Sequence, residues 1–116
     1  MATYTPGFLT GAGSNGCGFV VTSISGGTAG TAGTVHACGT GIDEVWLWAY
    51  NNNPTTDVVL SLEWGTSGLP RTVTIPHQSG LVPITPGIRI PVGFQIRAYA
   101  GSSGVIVIDG NVNNIV

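Results

Sequence analysis

From Thr34 onward, apolar and polar residues alternate in short runs divided by Gly, Pro, Asn, Ser and Thr. The runs "TVHA" (34–37), "EVWLWAYN" (44–51), "DVVLSLEW" (57–64), "RTVTIP" (71–76), "LVPIT" (81–85), "IRIP" (88–91), "FQIRAYA" (94–100) and "GVIVIDGNV" (104–112) read as strands. Between them stand "NNPTT", "GTSGLP", "HQSG", "PG" and "GSSG". Short β-rich runs at this spacing predict an all-β sandwich or barrel. No stretch carries a sustained helical period, and seven prolines are spread along the chain. The expected fold is an antiparallel all-β sandwich of about eight strands with almost no helix; jelly-roll, immunoglobulin-like and other sandwiches share this alternation.

The alternation also assigns faces. Val58, Leu60 and Leu62 fall on one side of their strand, and Val59, Ser61 and Glu63 on the other. Phe94, Ile96 and Ala98 are expected inward, with Gln95, Arg97 and Tyr99 outward. "GVIVI" is apolar on both faces, which predicts a cover on both sides.

Residues 1–33 break this pattern. "SISGGTAGTAGTV" is low in complexity and has no period, while "CGFVVTSI" holds one short candidate strand. The division expected is a Gly/Thr-rich extended arm and flexible joint over 1–33 and a sandwich domain over 34–116.

The segment "DEVWLWAYNNNP" (43–54) raises a question of cover. Val45, Leu47 and Ala49 share one face; Trp46, Trp48 and Tyr50 share the other. Each of these aromatics can bury ~150–250 Å². At ~25 cal/mol per Å², covering ~450 Å² is worth on the order of 10 kcal/mol before association costs. Three covers are open. The aromatic face is itself the core; or it is a subunit interface, where Trp and Tyr are favoured anchors; or it is a platform on which sugar rings stack, with Asn51, Asn52 and Asn53 nearby.

Composition narrows the function classes. The chain has 116 residues, enough for one domain with its own core. Charged residues make up 7%, against about 25% in ordinary domains. There is no lysine, and the cations are Arg71, Arg89 and Arg97. A net charge of −2 and three scattered arginines cannot follow a phosphate backbone, so nucleic acid is not an expected partner. No apolar run approaches the roughly 20 residues of a membrane helix. "MATYTPGFLT" lacks the features of a secretory signal, so synthesis in a cytoplasm is expected. On that basis Cys17 and Cys38 are read as reduced, buried thiols rather than a disulfide.

Candidate chemistry is thin. His36 and Cys38, in "HAC", share a strand face, but a zinc site needs three or four ligands in a recognised spacing. They read as buried residues at a strand end, and no metal or cofactor is expected. Asp43 and Glu44 are adjacent and point to opposite faces, a poor arrangement for paired carboxylates; Asp43 is read as capping the "GTGIDE" turn. Asp57, Glu63 and Asp109 are isolated, and "DGN" (109–111) reads as a turn or bulge. No nucleophile elbow or phosphate loop is present. An enzyme is not expected.

The order "TVHA…GIDEVWLWAYNNNPTTDVVLSLEWG…TVTIP…GLVPITPGIRIPVGFQIRAYAGSSGVIVIDGNVNNI" resembles small β-sandwich proteins of tailed-bacteriophage virions over residues 34–116. The resemblance is one of fold and composition. It implies a capsid decoration (cement) protein, a head fibre or knob, or a piece of tail fibre, often trimeric, and brings no catalytic residues. The expectation is a jelly-roll-like β-sandwich, assembled as a homotrimer on the capsid surface and made in the host cytoplasm, that bridges major capsid protein subunits. It would stabilise the shell by binding only its assembled form, with weak contacts adding as avidity. Expected subunit contacts are Trp46, Trp48, Tyr50, Arg97 and Tyr99. Expected capsid contacts are Tyr4, Pro6, Phe8 and Leu9. The alternative is a fibre or receptor-binding module that holds host-surface glycan on the aromatic face.

Overall fold

The structure, a computed structural model, describes residues 2–12, 18–24, 32–64 and 70–116. Among them are nine strands: β1 (Tyr4–Gly7), β2 (Phe19–Val21), β3 (Gly33–Ala37), β4 (Ile42–Asn51), β5 (Val58–Trp64), β6 (Arg71–Ile75), β7 (Val82–Pro91), β8 (Gln95–Ala100) and β9 (Ile106–Ile115). One 3₁₀ turn, Thr10–Ala12, follows β1.

The pairing is nested and antiparallel. β5 pairs with β6, β4 with β7, β3 with β8, and both β1 and β2 with β9. Rolling this long hairpin brings β9 against β4 and β8 against β5. The result is two sheets, β1-β9-β4-β7 with β2 also on β9, and β3-β8-β5-β6. This is the jelly-roll arrangement, with β1 and β2 sharing the first of eight positions.

Inward positions of the two sheets meet as one core. Val45, Leu47, Ala49, Ile106 and Ile108 come from the first sheet, and Val35, Leu60, Leu62, Ile96 and Ala98 from the second. Burial of the Val45 face settles which side of β4 is core. The aromatic side is the outer one, so it is not the core.

The described parts of residues 1–33 belong to the sandwich. Tyr4–Gly7 pairs with Val112–Ile115, and Phe19–Val21 with Ile106–Ile108. Leu9 and Val21 are 2% and 0% exposed. Leu9 fits because Gly110 leaves room: a Cβ there would lie 3.3 Å from Leu9 Cδ1 and far too close to the Trp46 carbonyl. Most of the expected joint lies outside the described residues, as does Cys17.

Other expectations are corrected in detail. The runs 81–85 and 88–91 are not two strands around a "PG" turn; residues 82–91 form the single strand β7, whose register with β4 shifts twice. Val45 faces Ile88 while Trp46 faces Pro86, so Gly87, at φ 76°, is an extra residue; Ile84 is a second. These bulges, with Pro83, Pro86 and Pro91, keep an edge strand from pairing further. β9 runs through "DGN" in unbroken register with β4, neither turning nor bulging there, and continues past Val112 to Ile115. Phe94 precedes β8 and is 45% exposed, so it is not inward.

A buried amide joins the two sheets at one end. Asn51, 2% exposed, donates from Nδ2 to the carbonyls of Thr56 and Ile75, both at 2.9 Å. Its Oδ1 accepts from the Asn53 backbone at 2.9 Å.

Candidate functional site

Directly opposed residues in a ladder share a face, so the register maps the outer face of the first sheet in rows. Tyr4, Ile115, Ile42 and Pro91 form one row, and Pro6, Asn113, Glu44 and Arg89 the next. Then come Asn111, Trp46 and Pro86; Asp109, Trp48 and Pro83; and Val107 with Tyr50. Four of the chain's seven prolines stand on this face.

Charge is scarce and spent internally. Arg89 donates to Glu44 Oε2 from Nη2 at 3.0 Å and from Nε at 3.2 Å. Asp109 Oδ1 accepts the Gly18 N–H at 2.9 Å. What remains is aromatic, prolyl and amide surface.

Trp46, Trp48 and Tyr50 are all half-buried. The first two form a ridge between two clefts. One, of about 410 Å³, is bounded by Pro6, Asn111, Val112 and Asn113. The other, of about 390 Å³, lies over Pro83, Ile84, Thr85 and Pro86. Thr85, at the floor of the second, donates its hydroxyl to the Val45 carbonyl at 3.1 Å. The side-chain amides of Asn111 and Asn113 bond to no described residue.

The expected subunit contacts divide between two faces. Trp46, Trp48 and Tyr50 lie on the outer face of the first sheet. Arg97 and Tyr99 alternate with buried Ile96, Ala98 and Ala100, so they lie on the outer face of the second. The sandwich separates the sets, and no single flat contact includes both. Arg97 instead lies 3.6 Å from Glu63, which is 1% exposed, and Ser61 is 5% exposed. The open face expected around these two residues is closed.

The expected capsid contacts divide as well. Tyr4 and Phe8 are 59% and 62% exposed, and Pro6 is exposed beside the tryptophans. Leu9 is a core residue and cannot touch a partner.

Asn51, Asn52 and Asn53 do not serve the aromatic face as a group. Asn51 is locked into the joint between the sheets. Asn53 Oδ1 accepts from the backbone of Thr55 and Thr56, both at 3.0 Å, and so builds the turn. The amides that flank the tryptophans come from β9, in "DGNVNN", where alternation along a longer strand would have placed them.

A second polar site lies under the N-terminal segment. His36 and Asp43 are 3% and 4% exposed, and Nε2 lies 2.5 Å from Oδ2. Asn114 donates to Asp43 Oδ1 at 2.7 Å, so Asp43 is a buried acceptor rather than a turn cap. Cys38 is a buried free thiol. Burial raises its pKa, and the nearby Asp43 carboxylate raises it further. Both ring nitrogens of His36 are occupied, which leaves none to take a proton from that thiol. Among the described residues no group of three His, Cys, Asp or Glu side chains could hold a metal ion, and no helix is long and apolar enough to cross a membrane.

Against family models, curated proteins and solved structures, the chain matches none. The resemblance to virion proteins therefore rests on the sequence pattern alone.

Proposed function

We propose that this chain is a structural virion protein, a capsid decoration protein that assembles as a homotrimer and stabilises a phage head by bridging major capsid protein subunits. The observation that carries the proposal is the outward direction of Trp46, Trp48 and Tyr50, on a face with four prolines and little free charge. Such a face favours burial against another protein surface, and Trp and Tyr are the residues that anchor such contacts. Subunits meet through this face, without Arg97 and Tyr99. Tyr4 and Phe8 are the capsid contacts, and Pro6, beside the tryptophans, falls at the rim of the subunit face. The jelly roll is an architecture that viral capsid domains use, which supports the reading by analogy of fold only.

The test is binding to phage heads prepared without their decoration protein, before and after Tyr4→Ala and Phe8→Ala. Binding that weakens in the double variant, with the fold retained, supports the proposal; an unchanged affinity removes the N-terminal segment from it.

A second reading has its own observation. The amides of Asn111 and Asn113, which bond to no side chain or backbone among the described residues, stand beside two flat indole rings, and this combination suits a neutral sugar. Under that reading the chain is a fibre or receptor-binding module. Quenching of tryptophan fluorescence by a glycan, lost in Asn111→Ala, would favour it over assembly.

A further inference from the structure

The hydrogen bonds beneath the N-terminal segment tie it to β3 and, through His36, to β4 and β9. Thr10 donates its backbone N–H to His36 Nδ1 at 3.1 Å. Ala37 donates its N–H to Thr10 Oγ1 at 2.9 Å, so the 3₁₀ turn is held to the end of β3 from both sides. Across the ring, Nε2 meets Asp43 Oδ2, and Asn114 of β9 donates to Asp43 Oδ1. A ring nitrogen that accepts a hydrogen bond carries no proton. Nδ1 is therefore bare, and the proton of the neutral ring is on Nε2, facing the carboxylate.

We propose that His36 is a proton-sensitive latch: docking of the turn at Thr10 and protonation of the ring exclude one another. Imidazolium has two N–H groups and no acceptor, so a proton on Nδ1 would face the Thr10 N–H. Asp43 on β4 is the charged group against the ring among the described residues. Asn114 from β9 and Thr10 from the turn are neutral, Cys38 beside Asp43 is a thiol, and Glu44 points outward to Arg89. Nε2 keeps its N–H toward Asp43 in either form of the ring, so the loss falls on the Thr10 bond. The segment so loosened carries exposed Phe8 and follows Tyr4. That this regulates attachment rests on the capsid-contact reading; the latch itself rests on the hydrogen bonds.

Two NMR readouts on the full chain test it. Long-range ¹H–¹⁵N correlation reports the ring protons, and amide exchange reports docking at Thr10. At neutral pH the proton is found on Nε2. On acidification, protection of the Thr10 amide falls about tenfold, the loss of one hydrogen bond, in step with imidazolium formation, while Leu47 in the core stays protected. H36N keeps an acceptor near the Nδ1 position and cannot titrate, so the step disappears. A proton on Nδ1 at neutral pH, or Thr10 protection unchanged as imidazolium forms, overturns the latch. Neither native-chain readout involves a capsid, so a failure of the attachment reading leaves them unmoved.

Discussion

The indole of Trp46 lies on the backbone of Gly87, where a Cβ would stand 2.9 Å from the ring. Gly87 also has φ 76°, a conformation that suits glycine. One residue thus makes the β7 bulge and seats the ring at the head of the ridge. Gly87→Ala is expected to destabilise the fold by about 1–2 kcal/mol and to shift the tryptophan emission of the folded state. Urea unfolding followed by fluorescence reads both effects.

The two faces of β4 make a contrast between neighbours. Leu47 is 1% exposed and Trp48 half-buried on the opposite side. Leu47→Ala leaves a core cavity and should cost roughly 2–5 kcal/mol. Trp48→Ala, despite removing a larger side chain, should cost about 1 kcal/mol. Equal losses in urea titrations would mean that the aromatic face is not an outer one.

Much of the sandwich is legible in the sequence because alternation is a local signal. Val45, Leu47, Leu60, Leu62 and Ile96 declare their faces without knowledge of any partner strand. The errors arise where the meaning of a residue depends on something distant. "TPGI" has the composition of a turn, and only pairing with β4 makes Gly87 a bulge. "DGN" likewise reads as a turn until β4 pairs along it. Leu9 looks like part of an arm, since the space it fills is made by Gly110, a hundred positions away. The aromatic ridge was visible as a pattern. Its flanking amides are not legible in the same way, because nearness in sequence points to Asn51–Asn53 while nearness across strands selects Asn111 and Asn113. The bond from His36 to Asp43 crosses a turn between β3 and β4, and no spacing rule marks it.

Asn51 is expected to matter more than its neighbours. Asn51→Ala removes two donated bonds and one accepted bond and leaves the carbonyls of Thr56 and Ile75 without that donor. About 2–4 kcal/mol should be lost. Asn51→Asp should be worse still at neutral pH, since it sets a buried carboxylate against those two carbonyls. Asn52→Ala, at an exposed position, should be nearly silent. Thermal unfolding of the three variants checks the order.

The surface pair of His77 and Asp57 gives a pH dependence of known sign. Asp57 Oδ1 accepts from His77 Nδ1 at 2.7 Å and from its backbone N–H at 3.1 Å. The side-chain bond first, then the backbone bond, lowers the Asp57 pKa in the folded chain. The contribution to stability is therefore present above the ordinary carboxylate pKa and is lost as pH falls through the lowered one. NMR titration should find Asp57 below the usual range in the native chain. His77→Ala, which keeps the backbone donor, should return it part of the way.

The central claim is that subunits meet through the face bearing Trp46, Trp48 and Tyr50. Its most direct test is the native mass of the full chain by light scattering over a dilution series, beside the double variant Trp46→Ala/Trp48→Ala. The account predicts a trimer that persists on dilution and falls to monomer in the folded variant. A native chain that is monomeric throughout, or a variant that remains trimeric, would contradict it.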